Sequence, residues 1–208
     1  MKLQVALDRI SLDEAINLAS KLNGNVDIIE IGTSLIKDYG NLAIEKISAV
    51  TPENQILVDS KTIDEGAYEF KQAFKYGADI VTVMGAASYQ TLSACYEVTK
   101  QCGGTMMIDL LNLNYEQIVK IDDFSKAIYL VHHSVDKNEE VQVANIISEF
   151  KKSHAHIERI AIAGGIDYES TEDLTHQDII EIVVVGSKIT KSKSVSDTAE
   201  KFMEVLNV

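Results

Sequence analysis

Proline is almost missing from this chain of 208 residues: Pro52 is the only one, and no Pro/Ser-rich or low-complexity tract divides the sequence. A single domain over 1–208 is the expectation. Cysteine is nearly as scarce. Cys95 and Cys102 are too few for a disulfide scaffold, and a chain this long buries enough core to do without one. Both read as reduced packing residues of a cytoplasmic protein. No apolar run approaches the roughly 20 residues that a membrane-spanning helix needs, and Val5-Ala6-Leu7 passes into Asp8-Arg9 with no signal-peptide core. Membrane and secreted classes are therefore set aside. Basic residues are outnumbered, with 19 Lys+Arg against 32 Asp+Glu and a formal net charge of −13. That charge repels a phosphate backbone, and no basic or aromatic cluster offsets it, so nucleic acid is not an expected partner.

What the sequence does have is a recurrence of short Val/Ile-rich runs: 3–7, 26–31, 55–58, 80–84, 105–108, 127–131, 159–163 and 180–185. Many are apolar at nearly every position, which suits strands covered on both faces of a parallel sheet. Between them lie segments with helical periodicity. Ser11-Leu12-Asp13-Glu14 resembles a capping box and opens a helix that runs toward Gly24. Similar patterns cover 43–50, 64–76, 89–101, 138–152 and 195–206. Eight alternating strand-helix units of about 26 residues predict a compact (β/α)8 barrel, with an open doubly wound sheet as the alternative.

In a parallel barrel the functional side chains sit at the C-terminal ends of the strands. Five of the runs deliver an ionisable group there: Asp8, Glu30, Asp59, Asp109 and the pair His132-His133. The densest cluster is Asp59-Ser60-Lys61-Thr62-Ile63-Asp64. Residues two apart in an extended segment share a face, so Asp59 and Lys61 are expected to point into one cavity. Asp64 either joins them, reaches a neighbouring subunit, or caps the next helix. Glu30 and Asp59 offer hard oxygen ligands of the type that suits Mg²⁺, or are two strand ends neutralised by Lys61.

Ala163-Gly164-Gly165 and Gly186-Ser187 follow the last two runs, where barrels frequently bind phosphate through backbone N–H groups. A Gly-Gly pair serves equally as a plain turn. Thr190 and Lys188 can add a hydroxyl and a charge. His132 and His133 face opposite sides of an extended segment, and alternation does not choose between them. His154, His156 and His176 lie in polar stretches and are assigned to the surface.

The blocks Lys2-Leu3-Gln4-Val5-Ala6-Leu7-Asp8, Val26-Asp27-Ile28-Ile29-Glu30-Ile31-Gly32-Thr33, Asp59-x-Lys61-x-x-Asp64, Gly77-Ala78-Asp79-Ile80-Val81-Thr82-Val83 and Ala161-Ile162-Ala163-Gly164-Gly165-Ile166 resemble the 3-hexulose-6-phosphate synthase family. That family sits in the orotidine-monophosphate-decarboxylase-like group, beside 3-keto-L-gulonate-6-phosphate decarboxylase. The resemblance implies a (β/α)8 barrel acting as a homodimer, with Asp64 donated across the interface. It places Mg²⁺ on Glu30 and Asp59, Lys61 beside an enediolate, Asp8 and Asp109 on the polar floor, and His132 as acid/base. Thr33, Gly164, Gly165, Gly186 and Ser187 would hold the substrate and its phosphate.

The substrates implied are D-ribulose 5-phosphate and formaldehyde. The alternatives are decarboxylation of 3-keto-L-gulonate 6-phosphate and, from another class, a non-catalytic phosphosugar-binding barrel. The chain departs from the family pattern after His132, where synthases commonly read Thr-Gly-Leu-Asp and this sequence reads His133-Ser134-Val135-Asp136. Decarboxylases commonly carry Arg at the place of Val135. Ser187 stands where many members have Arg, and Ser88 where an acidic residue is frequent.

Overall fold

The structure, a computed structural model, describes residues 1–133 and 143–207. Eight parallel strands close into a barrel in chain order: β1 (Lys2–Leu7), β2 (Ile28–Ile31), β3 (Gln55–Thr62), β4 (Ile80–Met84), β5 (Thr105–Asp109), β6 (Ile128–His132), β7 (Ile160–Ala163) and β8 (Ile182–Val185). The last strand pairs with the first, with Val5 opposite Val185, which rules out the open sheet. The helices are α1 (Leu12–Leu22), α2 (Thr33–Tyr39), α3 (Asn41–Val50), α4 (Gly66–Lys75), α5 (Tyr89–Cys102), α6 (Tyr115–Val119), α7 (Val143–Ser153), α8 (Tyr168–Thr175), α9 (Ser187–Thr190) and α10 (Val195–Leu206). Among the described residues, no helix is long and apolar enough to cross a membrane.

Local signals explain where the elements begin. Ser11 and Glu14 form both halves of the capping box on α1, worth about 1 kcal/mol, and Ala15, Ala19 and Leu22 turn one buried face to the strands. Two further capping boxes, Asn114 with Gln117 and Asp167 with Ser170, open the short helices α6 and α8.

Strand alternation divides the apolar residues into two layers. Ile29, Ile31, Val58, Val81 and Ile108 face outward and pack with the helices. Ile28, Leu57, Ile80, Met107, Leu130, Ala161 and Val184 fill the barrel interior. Truncating any of the large ones to Ala would cost about 2–5 kcal/mol. The same parity, carried two residues on, leads from Ile28 to Glu30, Leu57 to Asp59, Ile80 to Thr82, Met107 to Asp109 and Leu130 to His132. The floor of one mouth is thus polar because each strand's next inward residue is polar.

Two expectations need correction. Cys102 is exposed, at the end of α5, and only Cys95 packs inside. His154 is buried, stacked on Phe150 at 4.8 Å between ring centroids and against Tyr115 at 4.9 Å. A polar neighbourhood in sequence hid it, because the aromatic partners come from other turns and elements. His156 and His176 are exposed as expected.

Candidate active site

Lys61 owes its position to a bulge in β3. Val58 pairs with Val81 and Thr62 with Val83, so β3 advances four residues while β4 advances two. Lys61 takes a left-handed backbone, φ 48°, a conformation that costs a residue with a side chain about 1–2 kcal/mol. Its Nζ comes within 2.6 Å of Asp109 Oδ2 and 3.2 Å of Asp59 Oδ2. Asp59 and Lys61 do share the cavity, through the bulge and not through flat strand alternation.

Asp109 is fully buried, and burial alone would push its carboxyl up. The hydrogen bond from His132 and the charge of Lys61 outweigh that and hold it below the usual carboxylate range. Lys61 shows the complementary balance: burial pulls it down, but Asp59 and Asp109 keep it above its ordinary value. His132 Nδ1 lies 3.0 Å from Asp109 Oδ2. An ionised carboxylate only accepts, so Nδ1 carries the proton in this bond and the neutral ring leaves Nε2 as a base. Strand parity therefore sends His132 inward. His133 contributes its backbone N–H to Ala163 O at 2.9 Å.

Glu30 is buried one strand over. Burial, followed by the charge of Asp59, pushes its carboxyl up to about 8, against a 2.6 Å hydrogen bond donated by Gln4 Nε2. Gln4 Oε1 is buried without a partner. Asp59 accepts from Thr33 Oγ1 at 2.6 Å and from Thr82 Oγ1 at 2.8 Å. Among the described residues no group of three or more His, Cys, Asp or Glu could cage a metal. Two buried carboxylates whose mutual repulsion a cation would relieve are nevertheless a donor set that fits a hard ion keeping its waters, and Mg²⁺ is commonly bound this way.

Other expected residues spread around the rim. Asp8 is exposed, not on the floor, because β1 ends at Leu7 and Arg9 turns left-handed. Its carboxylate accepts from Ser34 Oγ and, at 3.1 Å, from Ser34 N–H. Asp64 is exposed beside Ile63 and Tyr68, and among the described residues its carboxylate makes no hydrogen bond or ion pair. It does not cap α4. Glu65 occupies the cap position in a left-handed conformation with no side-chain bond.

Gly164, φ 107°, passes so close to His133 that a Cβ would lie 2.0 Å from its carbonyl oxygen. Gly165 and Gly186 instead border open space, and Ser187 begins α9 beside them. Three glycines thus line an accessible cradle at the ends of β7 and β8. The altered positions after His133, including Val135, lie outside the described residues. Ser88 caps α5, its Oγ accepting from Thr91 N–H at 3.0 Å. Thr82 and Gln4 are site residues that the sequence reading missed. The inward parity of Ile80 and of Ala6 is the signal that could have found them.

The model of the Orotidine 5'-phosphate decarboxylase / HUMPS family matches residues 1–202. The chain is 30% identical over 213 residues to the 3-hexulose-6-phosphate synthase of Bacillus subtilis (strain 168), covering 99% of each. Its fold is similar to the crystal structure of 3-hexulose-6-phosphate synthase from Salmonella typhimurium, with a TM-score of 0.91, 30% identity and coverage of 100% of this chain and 99% of that one. It is also similar to KGPDC from Streptococcus mutans, solved in complex with a phosphosugar, with a TM-score of 0.90, 25% identity and coverage of 99% and 97%.

Proposed function

The chain belongs to the Orotidine 5'-phosphate decarboxylase / HUMPS family, and we propose that it is a cytoplasmic, Mg²⁺-dependent 3-hexulose-6-phosphate synthase. It would add formaldehyde to D-ribulose 5-phosphate, reversibly, through a 1,2-enediolate. The observation that carries this is Lys61 held between Asp59 and Asp109, with His132 on the same carboxylate oxygen of Asp109. Synthase names among the relatives and the phosphosugar ligand of the Streptococcus mutans protein support the substrate class.

Glu30 and Asp59 would hold Mg²⁺, which when bound supplies Lewis-acid stabilisation of oxyanion charge. His132 Nε2 takes the C1 proton of the ketose phosphate, and Asp109 steadies the imidazolium that forms. Lys61 Nζ, already aligned by two carboxylates, donates to the oxygen on which charge develops. The C1 carbanion then attacks formaldehyde, forming the C–C bond. His132 returns its proton to the new alkoxide, so the base is regenerated. Thr33 orients Asp59, and Gly164, Gly165, Gly186 and Ser187 cradle the phosphate. Asp64, exposed at the rim, would complete the site of a partner subunit in a homodimer.

The likeness to KGPDC favours a second reaction, 3-keto-L-gulonate 6-phosphate decarboxylation, in which loss of CO₂ produces the same enediolate. The absence of Arg at position 135 weighs against it. Assaying Mg²⁺-dependent formaldehyde consumption with D-ribulose 5-phosphate beside CO₂ release, with a chelator control, separates the two. Formaldehyde consumption alone is expected. CO₂ release alone would establish the decarboxylase, and silence in both would leave a non-catalytic phosphosugar-binding barrel.

A further inference from the structure

Thr82, on β4, is completely buried and touches the site from behind, through three hydrogen bonds that each belong to the β3 bulge. Its hydroxyl accepts from Lys61 N–H at 2.9 Å and donates to Asp59 Oδ1 at 2.8 Å, and its carbonyl accepts from Ser60 Oγ at 2.8 Å. A hydroxyl has one proton to give. Because the Lys61 amide already donates to this oxygen, the proton is directed at Asp59.

The bulge makes this arrangement necessary. Between the Val58–Val81 and Thr62–Val83 pairs the regular ladder is interrupted, and the Lys61 amide, in its left-handed conformation, is satisfied by a side chain of the neighbouring strand. Thr33 and Lys61 reach only the Oδ2 oxygen of Asp59, so Thr82 is the group that fixes Oδ1. The two residues whose geometry decides the chemistry are therefore tied to one hydroxyl.

We propose that Thr82 is a positioning residue: it locks the left-handed Lys61 backbone and the Asp59 carboxylate into one unit, so that ammonium and metal-ligand oxygen are presented together. The inference rests on the reading of Asp59 as a metal ligand and Lys61 as the enediolate partner. Thr82 itself meets no substrate. Valine at this position keeps the shape and the strand preference but loses the hydroxyl, whereas serine keeps the hydroxyl and loses the methyl.

The test uses the full-length protein with Thr82→Val and Thr82→Ser, and reads two quantities. Hydrogen exchange of the Lys61 amide is measured by NMR without metal, and Mn²⁺ affinity is measured from the EPR signal of the free ion. In Thr82→Val the Lys61 amide should exchange at least about tenfold faster, and Mn²⁺ affinity should fall about 10- to 100-fold. Thr82→Ser should return both to within about threefold of the parent. Equal behaviour of Val and Ser variants, whether both intact or both impaired, would overturn the proposal, since the hydroxyl would then not be the cause.

If Thr82→Val yields no folded barrel, Thr82→Ala against Thr82→Ser makes the same comparison. Failure of the parent to bind Mn²⁺ would instead overturn the metal-ligand reading of Asp59 and the half of the proposal that depends on it, while Lys61 amide exchange still decides the other half. A kcat that falls in the Val variant with KM little changed, and recovers in Ser, would distinguish positioning from general loosening.

Discussion

Lys61 Nζ stands 2.6 Å from Asp109 Oδ2, an ion pair that joins the bulge of β3 to the end of β5 across one intervening strand. Asp109 is fully buried and Lys61 only partly, so the pair has one dry end and one end facing the mouth. A charge anchored in this way reaches substrate without having to be reordered for each turnover.

Lys61→Ala is expected to lower kcat about 100- to 1000-fold, the usual cost of losing one preorganised donor to a developing oxyanion. It also leaves Asp109 buried beside a neutral partner, so a loss of about 3–5 kcal/mol in denaturant-measured stability should accompany it. Lys61→Arg should not rescue turnover, because a planar guanidinium cannot replace a compact ammonium between the two carboxylates. Unchanged turnover in Lys61→Ala would remove the enediolate role.

The eight strands were legible because each is apolar on both faces, as Ile28–Ile31 and Ile182–Val185 show. The extension of β3 to Thr62 was not. Asp59-Ser60-Lys61-Thr62 has no apolar alternation, and a bulge is a tertiary event between two strands. The short helices α2, α6, α8 and α9 also escaped, having one or two turns and little periodicity, although the capping boxes at Asn114 and Asp167 were there to be read. Glu30, Asp59, Lys61, Asp109 and His132 were found from strand ends alone. Thr82 and Gln4 were not, since an uncharged residue inside a strand looks like any other until its partners are known.

The glycine cradle predicts a contrast. Gly164→Ala would drive a Cβ into the His133 carbonyl, so it should destabilise the barrel by several kcal/mol and lower its melting temperature. Gly165→Ala meets no atom within 4 Å; it costs about 1 kcal/mol of backbone strain and should chiefly raise KM for the phosphosugar. Equal melting temperatures for the two variants would contradict this division of roles.

Glu30 gives the metal-free protein a pH dependence of unusual sign for a carboxylate. Its ordinary value is 4.5 and burial beside Asp59 raises it to about 8, so between those limits the native state binds more protons than the unfolded one. Stability should therefore fall as pH rises through that window, and Glu30→Gln should flatten the slope. Asp109, held low, acts oppositely: its contribution is lost as pH falls through its depressed value. Thermal melts from pH 5 to 9 check the first effect, and added Mg²⁺ should restore stability at the alkaline end. A flat profile in the parent would refute it.

Asp64 makes a shared site testable. Individually inactive Lys61→Ala and Asp64→Ala proteins, mixed under conditions that exchange subunits, should regain about a quarter of parental activity, since half of the random dimers hold one intact site of two. No recovery in demonstrated mixed dimers would confine each site to one subunit.

The enediolate itself is tested most directly by proton NMR of D-ribulose 5-phosphate in D₂O with enzyme and Mg²⁺ but no formaldehyde. Loss of a C1 proton signal through deuterium wash-in, abolished by chelator and by His132→Ala, is the expected result. A C1 that stays fully protonated over many enzyme equivalents and hours would contradict proton abstraction at this site.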